Sequence, residues 1–237
     1  SICVNSIIIP ISPHKLGPVY TVMQAIDLID LNKQTIVNYC DFTCYWDYSK
    51  FQIFVDDTCA DGVIPSYKGF HPHTLWSSYY AYLKEEDGLV AGIQEKEPFT
   101  NSPDKELASS GTYYFKTGFM MKKYFQRCIS EKTLVNNEYY VSMAYKSMIQ
   151  DGLNIYAYEL EYFMQWGTPV DLHDYEYWSN IFREILHERQ QVCHKGSLLM
   201  PIAGLGNRFK ERGYKEPKPL ISVSGLPMAL QALNDLP

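Results

Sequence analysis

The chain reads as an α/β fold. Short β-branched runs of strand length alternate with stretches of helical periodicity, glycine-bearing turns follow two of the apolar runs, and an acidic residue closes one strand. Its 237 residues, 46% hydrophobic and 15% aromatic, can bury a sizeable core, enough for one α/β domain or one domain plus a fragment.

Ile7-Ile8-Ile9, β-branched and ended by Pro10, has the pattern of a buried strand. The turn Lys15-Leu16-Gly17-Pro18 leads into a helical stretch over residues 19–29, with Val22, Ile26 and Ile29 on one face. Pro18 suits a first helical position, where its missing N–H costs nothing. Residues 35–40 form the next strand, and Asp41 closes it. Open α/β sheets place ligand chemistry at the carboxyl ends of strands, which makes Asp41 a candidate site residue; a plain turn or cap is its other reading. Residues 62–67 form a further strand. Residues 77–84 and 89–96 alternate about Glu85-Glu86-Asp87-Gly88, a hairpin whose second arm ends in Glu95-Lys96. Beyond a Pro-, Asp- and Ser-rich segment (98–104), residues 109–115 form a strand, and 119–129 and 138–150 are amphipathic helices. Residues 154–163 are one long alternating strand running into Gln165-Trp166-Gly167-Thr168-Pro169. Thr168 is placed to cap a helix over 170–190, with Pro169 first in it and Asp171 nearly completing a capping box. Around the hairpin, Trp76, Tyr79, Tyr80 and Tyr82 fit sheet packing or a partner surface.

The most informative stretch comes late. An apolar run, Leu198-Leu199-Met200-Pro201-Ile202, feeds into Ala203-Gly204-Leu205-Gly206-Asn207-Arg208-Phe209 and on to Gly213-Tyr214-Lys215-Glu216-Pro217-Lys218-Pro219-Leu220. Glycines one residue apart let backbone N–H groups of Gly204, Leu205, Gly206 and Asn207 approach a phosphate closely. Arg208 adds a planar fork of donors and Lys218 a compact charge, both suited to phosphate oxygens. A strand followed by a Gly/Pro-rich turn is the plainer reading of the same residues.

As a whole, this string resembles the N-terminal signature of the sugar-phosphate nucleotidyltransferases, A-G-x-G-x-R-F followed by G-Y-x-x-P-K-P-L. Glu95-Lys96, Gly111 in Ser-Gly-Thr-Tyr-Tyr-Phe, Asn-Glu-Tyr-Tyr around Glu138, and Gln-Trp-Gly-Thr-Pro are similar to those of nucleotidyltransferases found with bacterial capsule and surface-polysaccharide genes. The resemblance covers residues 7–183 and 197–237. It implies a three-layer, Rossmann-like (GT-A-like) domain with a mixed, mostly parallel sheet, which joins a nucleoside triphosphate to a sugar-1-phosphate, or a similar small phosphate such as phosphocholine. The product would be a nucleotide-activated sugar for surface polysaccharide. It further implies that Gly17 lines the base pocket, that Glu95 and Glu138 accept hydrogen bonds from substrate hydroxyls, and that Gly111 and Lys96 meet the substrate. Asp41 would hold Mg²⁺, Arg208 would neutralise the leaving pyrophosphate, and Lys218 would bridge the two phosphates. One departure is plain: the family often carries a carboxylate where Gln165 stands, and a neutral amide is the weaker Mg²⁺ ligand. The attacking phosphate has a second pKa of about 6 and is already a dianion at neutral pH, so no general base is required.

In that family the glycine signature opens the domain; here it comes near the end. Residues 1–190 read as a nucleotidyltransferase domain lacking its first strand and phosphate loop, and 197–237 as that strand, loop and first helix. The short piece cannot bury its own apolar face, so a permuted chain, a swap within a homo-oligomer and the start of a tandem copy all remain open. Leu198–Ile202 is expected to pair beside residues 35–40 or 7–9. A glycosyltransferase of the same fold is a competing reading, weakened because Asp41-Phe42-Thr43 lacks a second Asp; a non-catalytic nucleotide-binding domain is another. The balance of 21 basic and 27 acidic residues, net −6 with no basic run, argues against nucleic-acid binding. Six scattered cysteines without CxxC pairing, no evident signal peptide and no run of 18 apolar residues lead to the expectation of a cytoplasmic protein with reduced thiols and no membrane span.

Overall fold

A computed structural model describes residues 7–69, 71, 80–186, 200, 206–223 and 225–234. The chain divides into two compact units, Ser1–Asn180 and Ile181–Pro237.

The first unit opens with helix α1 (Gly17–Met23), a 3-10 turn at Ile26–Leu28, strands β1 (Thr35–Asn38) and β2 (Phe42–Tyr45), helix α2 (Tyr48–Thr58) and strand β3 (Gly62–Tyr67). The Asp47 carboxylate caps α2 by accepting from Ser49 N and Lys50 N at 2.9 and 3.3 Å. Strands β4 (Ala81–Glu86) and β5 (Leu89–Glu95) form the expected hairpin, and Asp87 and Gly88 both take positive φ (52° and 81°) as a tight primed turn requires. Then follow β6 (Leu107–Ser109), β7 (Thr112–Phe115), α3 (Gly118–Ser130), α4 (Val141–Gln150), β8 (Ile155–Glu159), β9 (Tyr162–Gln165) and α5 (Pro169–Leu186), whose residues from Ile181 on are counted in the second unit. Thr117 caps α3 through Met120 N. Thr168 and Asp171 complete a reciprocal capping box for α5: Thr168 N donates to the Asp171 carboxylate at 3.0 Å, and Asp171 N to Thr168 Oγ1 at 3.2 Å.

Seven strands make the main sheet, in the order β1-β7-β3-β6-β4-β5, with β8 also paired to β3. Alternation sorts its side chains to two faces. Ile64, Tyr113 and Phe115 join Met121, Tyr124 and Phe125 of α3 and Val141, Tyr145 and Met148 of α4 in one core. Val63 and Tyr114 join Phe51 and Val55 of α2 in another. Helices thus cover both faces, giving three layers. Between the core of α4 and the sheet, the Tyr145 hydroxyl donates to the Tyr114 carbonyl.

Four expectations need correction. The sheet is mostly antiparallel, not mostly parallel: β3–β8 is the parallel pair among the described residues, and β1–β7, β3–β7, β3–β6, β4–β6 and β4–β5 all run antiparallel. A parallel neighbour needs a long crossover, and here α3 and α4 supply one between β3 and β8 only after the antiparallel path has been laid down. Ile7-Ile8-Ile9 is no buried strand. It pairs with nothing regular, and Ile7 and Ile8 are 76% and 78% exposed, although the sheet ends on β1 and β5. The single strand over 109–115 is two, because Gly111 at φ +93° bends the path between β6 and β7. The long strand over 154–163 is also two, β8 in the main sheet and β9 paired antiparallel with β2 in a separate ribbon; Leu160 N donates to the Ser66 carbonyl at the break. The expected strand at Leu198–Ile202 lies outside the described residues apart from Met200.

In the second unit, the described residues form a short helix α6 (Asn207–Lys210), a 3-10 turn at Lys218–Leu220, the two-residue strands β10 (Ser222–Val223) and β11 (Leu226–Pro227), and helix α7 (Met228–Asn234).

Candidate functional site

The β2–β9 ribbon builds one wall of a cavity in the first unit. Phe42 pairs with Gln165, so Asp41 just before β2 comes beside the end of β9. Trp166 N donates to the Asp41 carbonyl at 2.9 Å and fixes the join. Gly167 closes the corner. A Cβ there would stand 2.7 Å from Gln165 Nε2 and 2.9 Å from Asp41 Oδ2, so only glycine leaves room for both polar ends.

The opposite wall comes from β5 and the entry to α4. Glu95 ends β5, and its Oε2 accepts from Ser142 Oγ at 2.5 Å. Burial pushes the Glu95 carboxyl up to about 7, with the Ser142 hydrogen bond and the Lys96 charge pulling the other way and Glu138 adding to the rise. Lys96 takes φ +62°, a left-handed conformation that is costly for a lysine, while its N–H holds the Tyr80 carbonyl at 2.8 Å. Lys96 Nζ donates to Tyr140 Oη at 2.6 Å, lies 4.5 Å from the centre of that ring, and Tyr140 in turn donates to the Glu138 carboxylate. Burial first, and then the Glu138 contact, hold the Tyr140 phenol above its usual range; Tyr39 and Tyr113 are raised by burial, with the charge of Glu95 adding.

Between these walls lies a cavity of about 360 Å³, within the range of small-molecule sites. Asp41, Glu95, Lys96, Gly111 and Gln165, five of the residues singled out from the sequence, line it. Gly111 is held to glycine by its positive φ and by Tyr39 and Phe42 ring atoms 3.1 and 3.3 Å from where its Cβ would stand. Glu138 and Gly17 do not line it. Glu138 reaches it through Tyr140, and Gly17 (φ +82°) packs on the backbone of Tyr139, whose N and O lie 2.9 Å from the place of its Cβ.

Gly206, Asn207, Arg208 and Lys218 belong to the second unit. Gly206 takes φ +63°, with Lys218 Cβ 3.0 Å from the place of its own Cβ, so the glycine turn and the lysine are held side by side. Asn207, Arg208 and Lys218 are exposed, and Lys218 Nζ lies 5.9 Å from the centre of the Phe209 ring. Gly204 and Leu205 lie outside the described residues.

Sequence reasoning did not assign the tyrosines of the cavity to the site; Tyr80 stood out there only as sheet packing or a partner surface. Tyr39, Tyr80, Tyr113 and Tyr140 line it, and Ser142 buttresses Glu95. Tyr140 stands in the Asn-Glu-Tyr-Tyr string but looks there like one more aromatic.

No group of three or more His, Cys, Asp or Glu residues arranged to hold a metal ion occurs among the described residues. Mg²⁺ takes one or two carboxylates and completes its shell with phosphate oxygens and water, a need that Asp41 fits as a single protein ligand. Gln165 turns its Nε2, a donor that does not ligate a cation, to the Gly167 corner, so the amide would have to flip to offer its oxygen. Among the described residues, no helix is long and apolar enough to cross a membrane.

Comparison with solved structures defines the fold class at this point. Over 70% of its length the chain resembles the nucleoside-diphosphate-sugar pyrophosphorylase of Vibrio cholerae RC9, with TM-score 0.53 and 19% identity. Over 76% it resembles a protein assigned as a glucose-1-phosphate thymidylyltransferase of Bacillus anthracis, solved with sucrose, with TM-score 0.53 and 14% identity. In both cases it spans 66% of the other chain, just under two thirds. The chain therefore has the fold of these nucleotide-sugar enzymes. No family model matches the sequence, and no curated protein does.

Proposed function

We propose that the cavity of the first unit is the site of a nucleotidyltransferase. It would join a nucleoside triphosphate to a sugar-1-phosphate or similar small phosphate, yielding a nucleotide-activated sugar and pyrophosphate. A phosphate oxygen of the acceptor attacks the α-phosphorus of the triphosphate; the new P–O bond forms as the bond to pyrophosphate breaks. The observation that carries this reading is the meeting of Asp41 and Gln165 at Gly167 in one cavity with Glu95 and Lys96.

Catalysis here is positioning and charge stabilisation, because the dianionic acceptor needs no base. Lys96 draws in the acceptor phosphate. Glu95 accepts a hydrogen bond from an acceptor hydroxyl, and Gly111 lets the backbone come close to it. Asp41 would hold Mg²⁺, with Gln165 as the weaker partner only through its amide oxygen after a flip, and the ion would supply charge neutralisation at the phosphates when bound. Gly204, Leu205, Gly206 and Asn207 keep the triphosphate-binding role their pattern implies, Arg208 neutralises pyrophosphate, and Lys218 the α-phosphate. The resemblance to capsule-linked enzymes supports surface-polysaccharide precursors as the product class and a cytoplasmic setting.

Gln165 favours a second reading, a binding domain of the same fold without turnover. Pyrophosphate release measured across the common nucleoside triphosphates, each paired with hexose-1-phosphates and phosphocholine, separates the two. Release with one pair, dependent on both substrates, is expected; nucleotide binding without release with any pair favours the second reading.

A further inference from the structure

We infer that Tyr140 is a positioning residue that holds the Lys96 ammonium in place for an incoming phosphate. This rests on the reading of Lys96 as the residue that meets the acceptor phosphate. Two observations converge on the pair. Lys96 adopts a left-handed backbone conformation that a lysine avoids unless its surroundings impose it. Its Nζ donates to Tyr140 Oη at 2.6 Å. The same contact sets the ammonium 4.5 Å from the centre of the Tyr140 ring, at its hydroxyl end.

The phenol is itself anchored, since it donates its one proton to the Glu138 carboxylate and must therefore accept from Lys96. Glu138 thus fixes the direction of the Tyr140 hydroxyl, and Tyr140 fixes the lysine. An ammonium has three N–H donors, so one can stay on Tyr140 while the others turn to a phosphate. A flexible four-carbon stem loses rotamer freedom when it binds a ligand; here much of that loss has already been met in folding. Glu138 then acts at one remove from the substrate. Tyr140 and Lys96 are 44 residues apart in the chain, and strand β5 and the lead-in to α4 bring them together.

The test uses the full chain labelled with ¹⁵N-lysine, with the Lys96 ammonium signal assigned by its loss in Lys96→Met. Inorganic phosphate is the probe. In the wild type the signal is expected to be sharp, protected from water exchange and shifted by phosphate. In Tyr140→Phe, which keeps the ring and loses the hydroxyl, it should broaden, and the phosphate dissociation constant should rise about tenfold. Tyr140→Phe added to Lys96→Met should weaken phosphate binding no further. A Lys96 signal and phosphate affinity unchanged in Tyr140→Phe overturn the inference, as does an equal loss on the Lys96→Met background. This measurement needs no turnover. A wild-type Lys96 signal that ignores phosphate overturns the reading of Lys96 and this inference with it, whereas a chain that binds phosphate at Lys96 but releases no pyrophosphate overturns only the proposed reaction. Where turnover is measured, Tyr140→Phe should raise the acceptor KM and leave that of the triphosphate unchanged.

Discussion

Glu95 shows how a single buried carboxyl ties stability to pH. Unfolded, it titrates near 4.5; folded, near 7. Between those values the folded state keeps a proton that the unfolded chain has lost, so this group lowers unfolding free energy as pH rises from about 4.5 to about 7, with no further change above. The size is about 2 to 3 kcal/mol across the window. Glu95→Gln should remove that slope, so that denaturant unfolding at pH 5 and pH 8 shows the wild type losing roughly this amount relative to the variant; parallel pH profiles in the two would contradict the burial argument. At this scale Asp41 was legible in the sequence because a carboxylate at a strand end has a positional meaning. Glu95 and Lys96 stood out through a resemblance, and neither the left-handed backbone of Lys96 nor its hold on Tyr140 could be read from the sequence. Side-chain pairs so far apart in sequence leave no periodic trace.

Among the elements, the β2–β9 ribbon does most to make the site, and it was the least visible beforehand. Residues 154–163 alternate as one strand would. The break at Leu160-Glu161 leaves no mark in the pattern: β9 alternates in burial, whereas β8 is packed on both faces, and the two lie in different sheets. Capping was more legible, since Thr168, Pro169 and Asp171 act locally and formed the expected box. Gly167 entered the sequence reading only as part of Gln-Trp-Gly-Thr-Pro, and in the structure it leaves room for the ends of Asp41 and Gln165. Gly167→Ala should push these two ends apart and lower turnover at least tenfold. Its melting temperature should stay within a few degrees of wild type, because the displaced atoms are side-chain ends. Wild-type turnover in this variant would show that the Asp41–Gln165 corner is not where the reaction occurs.

Across the molecule, three layers were expected and three are found, with cores on both faces of the sheet. Strand direction was misjudged because it depends on connections, and only the β3-to-β8 crossover yields a parallel pair among the described residues. The hairpin and the path through β6 and β7 set the rest. Ile7-Ile8-Ile9 makes the same point from composition: a β-branched run becomes a strand only where an edge accepts it. The late glycine signature remains the strongest sequence clue to phosphate chemistry, while the cavity of the first unit is lined by Asp41, Glu95 and Lys96.

The central claim is that Asp41 in this cavity serves nucleotidyl transfer. Steady-state pyrophosphate release by Asp41→Asn, compared with wild type on the best substrate pair and alongside its melting temperature, tests it most directly. Asn keeps the shape and loses the charge, so turnover should fall about a hundredfold or more with the melting temperature nearly unchanged. An intact Asp41→Asn protein releasing pyrophosphate at the wild-type rate would contradict the claim.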